Sequence, residues 1–86
     1  MTKPEQAPSR FSQDFAKQVR DLMDEHGITQ VAVSKRLGRA QSFVSERVGG
    51  VRPVDTDTLE AIASLIPGMT MNRLMEEVMR RLGSLA

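Results

Sequence analysis

The chain has 86 residues and therefore room for one domain around one modest hydrophobic core. It contains no cysteine, which excludes disulfides, thiolate catalysis and cysteine-ligated zinc, and its one histidine, His26, cannot furnish an all-protein zinc site. The net charge of +1 conceals an uneven spread: Lys35, Arg36, Arg39, Arg47 and Arg52 face only Glu46 within residues 29–53, and the remainder of the chain is net acidic.

Residues 1–10 are polar and carry two prolines, and they read as a flexible N-terminal arm ahead of one domain over 11–86. They hold no apolar run of the signal-peptide kind, and no later stretch is long enough to span a bilayer. A soluble, cytoplasmic protein is the expectation. The first helix is expected from Phe11 to His26, because Phe11, Phe15, Val19, Leu22 and Met23 recur at three- and four-residue spacing, and Gly27 suits its end. Thr29 is a candidate N-cap for a second helix reaching Leu37, with Val33 and Leu37 facing inward.

Gly38 breaks that helix, and a third is expected over Gln41–Val48 with Val44 and Val48 on one side. The run Gly49-Gly50-Val51-Arg52-Pro53 reads as a loop. Asp55 suits the N-cap of a fourth helix whose Leu59, Ile62, Ala63 and Ile66 are buried, and Pro67-Gly68 stops it. Thr70 caps a fifth helix over 70–82, with Arg80 and Arg81 near its negative end and Gly83 as terminator. The fold class is therefore all-α, with five helices.

The pair of short helices broken at Gly38 carries the functional information. A small residue, Ser34, lets the third helix cross close to the second; Gly38 takes positive φ without steric cost; Val44 plugs the angle between the helices. The opposite side of the third helix then presents Gln41, Ser42, Ser45 and Glu46, whose polar groups suit hydrogen bonding to base edges in a major groove. A basic segment in an acidic domain is the footprint of a polyanion binder, although a solvated charged face gives the same count. With Phe11, Phe15 and Phe43 as the only aromatics, stacking platforms for single strands are missing, and double-stranded DNA is the favoured partner.

These residues resemble a known family. The segment from Thr29-Gln30 to Ile62-Ala63, with TQ opening the second helix, RLG entering the turn and AQSFVSERVGGVRPVDTDTLEAIA through the third and fourth, is similar to the Cro/CI-type (XRE) helix-turn-helix regulators. With the flanking helices in place, the likeness extends over residues 10–82. It implies a five-helix, lambda-repressor-like domain acting as a sequence-specific transcriptional regulator, a repressor of phage or prophage type on a pseudo-palindromic operator. It further implies that Gln30 clamps a phosphate and bonds Gln41, that Gln41 reads an adenine, and that Ser42 occupies a second reading position. Ser45 and Glu46 fall at further readers. Arg52, with the Gly49 and Gly50 amides, corresponds to a phosphate-gripping loop.

Four positions depart from the pattern, and at two of them Arg47 and Val48 exchange the apolar and acidic characters commonly found there. Ala40 stands where a capping hydroxyl is usual, which costs the third helix about 1 kcal/mol. Arg39 replaces an apolar residue and places a cation near the groove. Val48 stands where a glutamate commonly pairs with an arginine of the first helix, and Met23 occupies that partner position, so an apolar Met23–Val48 contact substitutes for the ion pair. Phe43 has two readings, contact with a thymine methyl or sugar, or packing back over Arg39 and Leu37. Lys35 and Arg36 read as solvating residues on the outer face of the second helix.

The fifth helix raises the question of assembly. Met71, Leu74, Met75, Val78, Met79 and Leu82 form a stripe wider than a small core needs, and pairing of this helix with its twin in a homodimer is expected. No nucleophile–base pair, phosphate loop or metal spacing occurs in the sequence, so neither an enzyme nor a cofactor or small-molecule ligand is expected. An antitoxin-like interaction module that neutralises a partner and autoregulates through DNA binding is the alternative.

Overall fold

Hydroxyls and one carboxylate start four of the helices, each by accepting a backbone N–H that the helix leaves unpaired. Ser9 accepts from Ser12 at 3.1 Å, Thr29 from Ala32 at 3.1 Å, Asp55 from Thr58 at 3.3 Å and Thr70 from Arg73 at 3.2 Å. The computed structural model describes residues 8–85, and within them the protein is all-α: α1 (Arg10–Glu25), α2 (Gln30–Leu37), α3 (Gln41–Val48), α4 (Thr56–Ser64) and α5 (Met71–Gly83). Ala40 precedes α3 without any side-chain cap.

Four boundaries differ from expectation, the first being the end of α1 at Glu25, with His26 as its cap. The arm assigned to residues 1–10 falls, over residues 1–7, outside the described residues; Ser9 and Arg10 are not part of it, because Ser9 caps α1 and Arg10 begins it. Helix α4 stops at Ser64, since Pro67 disfavours helical backbone at the residue before it, and Ile66 reaches the core from the following turn instead. Gly83 does not terminate α5 but is its last helical residue.

The core lies where the inner faces of all five helices meet. Val19 and Leu22 of α1, Val33 of α2, Val44 and Val48 of α3, Ile62 of α4 and Leu74 and Val78 of α5 are each at most 1% exposed. Met23 and Val48 belong to the same cluster. Burying such side chains supplies about 1.5–3 kcal/mol each and is the main force holding the short helices to the long ones.

Helices α2 and α3 each end in a paired closure on a left-handed glycine. At α2, Gly38 N–H donates to Lys35 and Arg39 N–H to Ser34; at α3, Gly50 N–H donates to Arg47 and Val51 N–H to Glu46. Gly38 and Gly50 have φ of +69° and +81°, which side-chain-bearing residues adopt only at a cost. A second tie fixes the end of α3 from outside, where the Arg20 guanidinium of α1 donates to the Val48 carbonyl.

Gly38→Ala should lower the unfolding free energy by about 1–2 kcal/mol, from backbone strain alone, because a Cβ there meets nothing within 4 Å. Gly83→Ala, in helical backbone and open space, should raise it by about 0.5 kcal/mol. Urea denaturation at unchanged m-value measures both, and equal signs would contradict this account of Gly38.

Candidate functional site

The outward side of α3 is built by exclusion. Val44 and Val48 face the core, Ser34 of α2 is 7% exposed beneath the crossing, and its hydroxyl donates back to the Val31 carbonyl at 2.8 Å. That local bond satisfies the buried hydroxyl within α2, which packs against α3. Gln41, Ser42 and Ser45 are consequently exposed in a row, and among the described residues their side chains take no hydrogen bond. Gln30 is half-buried at the start of α2. It forms no bond to Gln41, so the glutamine pair that the resemblance implies is not made within the described residues.

The charges cluster less on the surface than their numbers suggest. Arg47 turns inward: its side chain is 18% exposed, Nη1 donates to the Phe43 carbonyl at 3.1 Å, and Nε lies 3.6 Å from Asp55 Oδ1. That separation is an ion pair but too long for a hydrogen bond, and Nε has no hydrogen-bond partner among the described residues. Arg52 pairs with Glu46 at 3.4 Å, which engages the Glu46 carboxylate and ties the loop to α3. Arg36, expected to be merely solvating, donates to the Ser64 hydroxyl at 3.0 Å and links α2 to α4. Lys35 and Arg39 are exposed.

Phe43 is half-buried, with the Arg39 guanidinium carbon 4.4 Å and the Arg47 guanidinium carbon 3.4 Å from its ring centroid. The ring does pack with Arg39, the contact that one of its two readings expects. The Gly49–Gly50 amides do not form the expected phosphate grip. Gly49 N–H donates to Ser45 at 2.9 Å and Gly50 N–H to Arg47 at 3.2 Å, so both are spent closing the helix. The Val51 and Arg52 amides likewise both donate to Glu46.

Comparison with known proteins finds no matching family model, no matching curated protein and no matching solved structure.

The apolar stripe of α5 divides in two. Leu74 and Val78 are fully buried in the core and are unavailable to a partner chain, a correction to the six-residue contact expected. Met71, Met75 and Leu82 are half-buried, and Met79 is 47% exposed. Two residues outside the stripe join them. Phe11 of α1, 56% exposed, and Leu85, 59% exposed, border one shallow apolar groove with Met79 and Leu82. A second groove runs from Phe11 and Phe15 to Val54 and Met75. Phe11 was legible as part of the α1 stripe, but not as an exposed residue beside the end of α5.

A charged clasp holds α5 to α1. Arg81 donates to Glu77 and, through both terminal nitrogens, to Glu25 at the end of α1. The Arg81 hydrogen bond holds the Glu25 carboxyl below its ordinary range, and Glu25 in turn raises Arg81. Among the described residues, no helix is long and apolar enough to cross a membrane, and no acidic or histidine cluster suits a metal ion.

Asp55 caps α4, accepts the Thr58 hydroxyl and faces Arg47. Burial pushes its pKa up, but the Thr58 hydroxyl, the local backbone N–H groups and Arg47 together bring it below the ordinary value. The unfolded chain therefore takes up this proton first on acidification. Asp55 stabilises the fold above the ordinary carboxylate pKa of about 4, and that contribution is lost as pH falls through the lowered value. Asp55→Asn keeps a capping oxygen and should flatten the fall in thermal midpoint below about pH 4 relative to wild type. Identical acid limbs for the two proteins would remove Asp55 from this role.

Proposed function

We propose that this protein is a sequence-specific double-stranded DNA-binding regulator that presents α3 to the major groove, as a helix-turn-helix domain of the Cro/CI type its sequence resembles. The observation that carries this reading is the outward row of Gln41, Ser42 and Ser45 on a helix whose opposite side is fixed in the core. A glutamine amide offers the donor and acceptor that an adenine edge requires, and short serines follow the groove floor without obstructing it. Arg39 and Arg52, with Gln30 at the start of α2, are the candidates for phosphate contacts that set register. Arg47 is withdrawn from this set by its burial against Phe43 and Asp55.

One such helix covers few base pairs, and a two-fold dimer setting two copies about 34 Å apart would give useful selectivity. The Met75, Met79, Leu82, Phe11 and Leu85 surface supports a homodimer, because it gathers exposed and half-buried apolar side chains along two adjoining grooves. Repression at a pseudo-palindromic operator is the corresponding role.

Selection from a random duplex library should enrich one pseudo-palindromic site, and failure to enrich any site would overturn the proposal. At that site Gln41→Ala should cost about 1–3 kcal/mol and relax one base pair in each half, with little change on random duplex. Uniform weakening on all sequences would make Gln41 a positioning residue only.

Met75→Glu with Met79→Glu should preserve the helical circular dichroism, shift sedimentation to monomer and sharply weaken site binding. A dimer that survives the double change would place the two-fold contact elsewhere. Retention of DNA binding by a monomer, with a different protein captured on this surface, would favour the partner-neutralising alternative.

A further inference from the structure

Phe43 interrupts the polar composition of α3 without lying in its exposed row. Its ring receives two guanidiniums, and these differ in how firmly they are held. Arg47 is fixed by the Phe43 carbonyl, by Asp55 and by burial. Arg39 is exposed and forms no ion pair among the described residues, although Asp55, Asp57 and Glu60 line the same shallow pocket as Arg39 and Phe43. Its backbone is nevertheless pinned, because Arg39 N–H closes the end of α2 on Ser34, and its guanidinium carbon rests 4.4 Å from the Phe43 centroid. The residue is thus anchored at both ends of a long side chain that otherwise samples many rotamers. An aromatic face attracts a cation without satisfying its N–H donors, so the guanidinium is oriented while its hydrogen-bonding edge stays open.

We infer that Phe43 is a positioning residue for DNA binding: it holds Arg39 in place before the duplex arrives, so that Arg39 meets a backbone phosphate, and Phe43 does not itself read a base. This rests on the DNA-binding reading above. Arg47 takes part by steadying the ring, since the Phe43 carbonyl and Asp55 already hold its half-buried guanidinium. Ordering the side chain in the free protein removes part of the entropy cost that a mobile arginine pays on binding.

A double-mutant cycle on the selected duplex tests the inference, with Phe43→Leu keeping bulk but removing the aromatic face and Phe43→Tyr restoring it. Phe43→Leu should weaken binding by about two- to fivefold, and Phe43→Tyr should match wild type. Arg39→Ala should lower the slope of log affinity against log salt by about one. In the Arg39→Ala background, the loss from Phe43→Leu should largely vanish. A readout without DNA accompanies these: 15N relaxation at Arg39 Nε in the free protein should report greater mobility in Phe43→Leu and none added in Phe43→Tyr. Equal losses from Phe43→Leu in both backgrounds, an unchanged salt slope for Arg39→Ala, or unaltered Nε mobility would each overturn the role of Phe43 while leaving DNA binding intact. Wild-type protein that binds no duplex at all would overturn the functional reading and this inference with it.

Discussion

An eight-residue helix has too few internal hydrogen bonds to persist in water, so α3 exists only because its neighbours hold it. Val44 and Val48, one turn apart and fully buried, fasten one side to the core. The start of α3 has no side-chain cap, and the compensation comes at its other end, where the glycine closure and the Arg20 guanidinium together satisfy carbonyls that would otherwise be left over. The orientation of every outward residue on α3 follows from those few attachments. The close crossing over Ser34 and the left-handed turn at Gly38 matter for the same reason: they decide the angle at which the two valines enter the core.

Charge in this small domain is used largely for construction. Five cations against one carboxylate in residues 29–53 suggest an open basic surface, yet Arg47 pairs with Asp55, Arg52 with Glu46, and Arg36 bonds Ser64. Exposed pairs of the Arg52–Glu46 sort contribute little stability, about 0–1 kcal/mol, but they restrict where a side chain spends its time. A phosphate approaching Arg52 has to compete with Glu46 for it. Arg39 is held by a ring rather than in an ion pair, so its N–H donors are not taken up by a carboxylate.

The five helices could be read from the chain because their signals are local. Thr29, Asp55 and Thr70 each cap the helix that follows, and Gly38 takes the left-handed conformation its place between two short helices demands. The arrangements that escaped notice join residues far apart in sequence. Arg20 reaches Val48 across 28 positions and Arg81 reaches Glu25 across 56, and residue type alone does not reveal such pairings. The division of the α5 stripe was hidden for a related reason. Spacing marks Leu74 and Met75 as equally apolar, but only the docking of α5 against α1 and α4 makes the first core and leaves the second half-buried. The Gly49 and Gly50 amides show a further limit. Glycine announces a turn, but whether its N–H points to a ligand or to a helix carbonyl depends on the hydrogen bonds of that turn.

The bare side chains of Gln41, Ser42 and Ser45 bear on how this domain can change over time. They are exposed and contribute no internal hydrogen bond among the described residues, so replacing them leaves the core, the caps and the closures as they were. Substitutions at such surface positions generally shift stability by no more than about 0.5 kcal/mol. Foldedness and outward chemistry are therefore inherited separately: the two valines, Ser34 and the turn glycine form a fixed chassis, and the three positions above it are free to drift. A duplicated copy could change the chemistry of this face in a handful of steps without passing through an unstable ancestor.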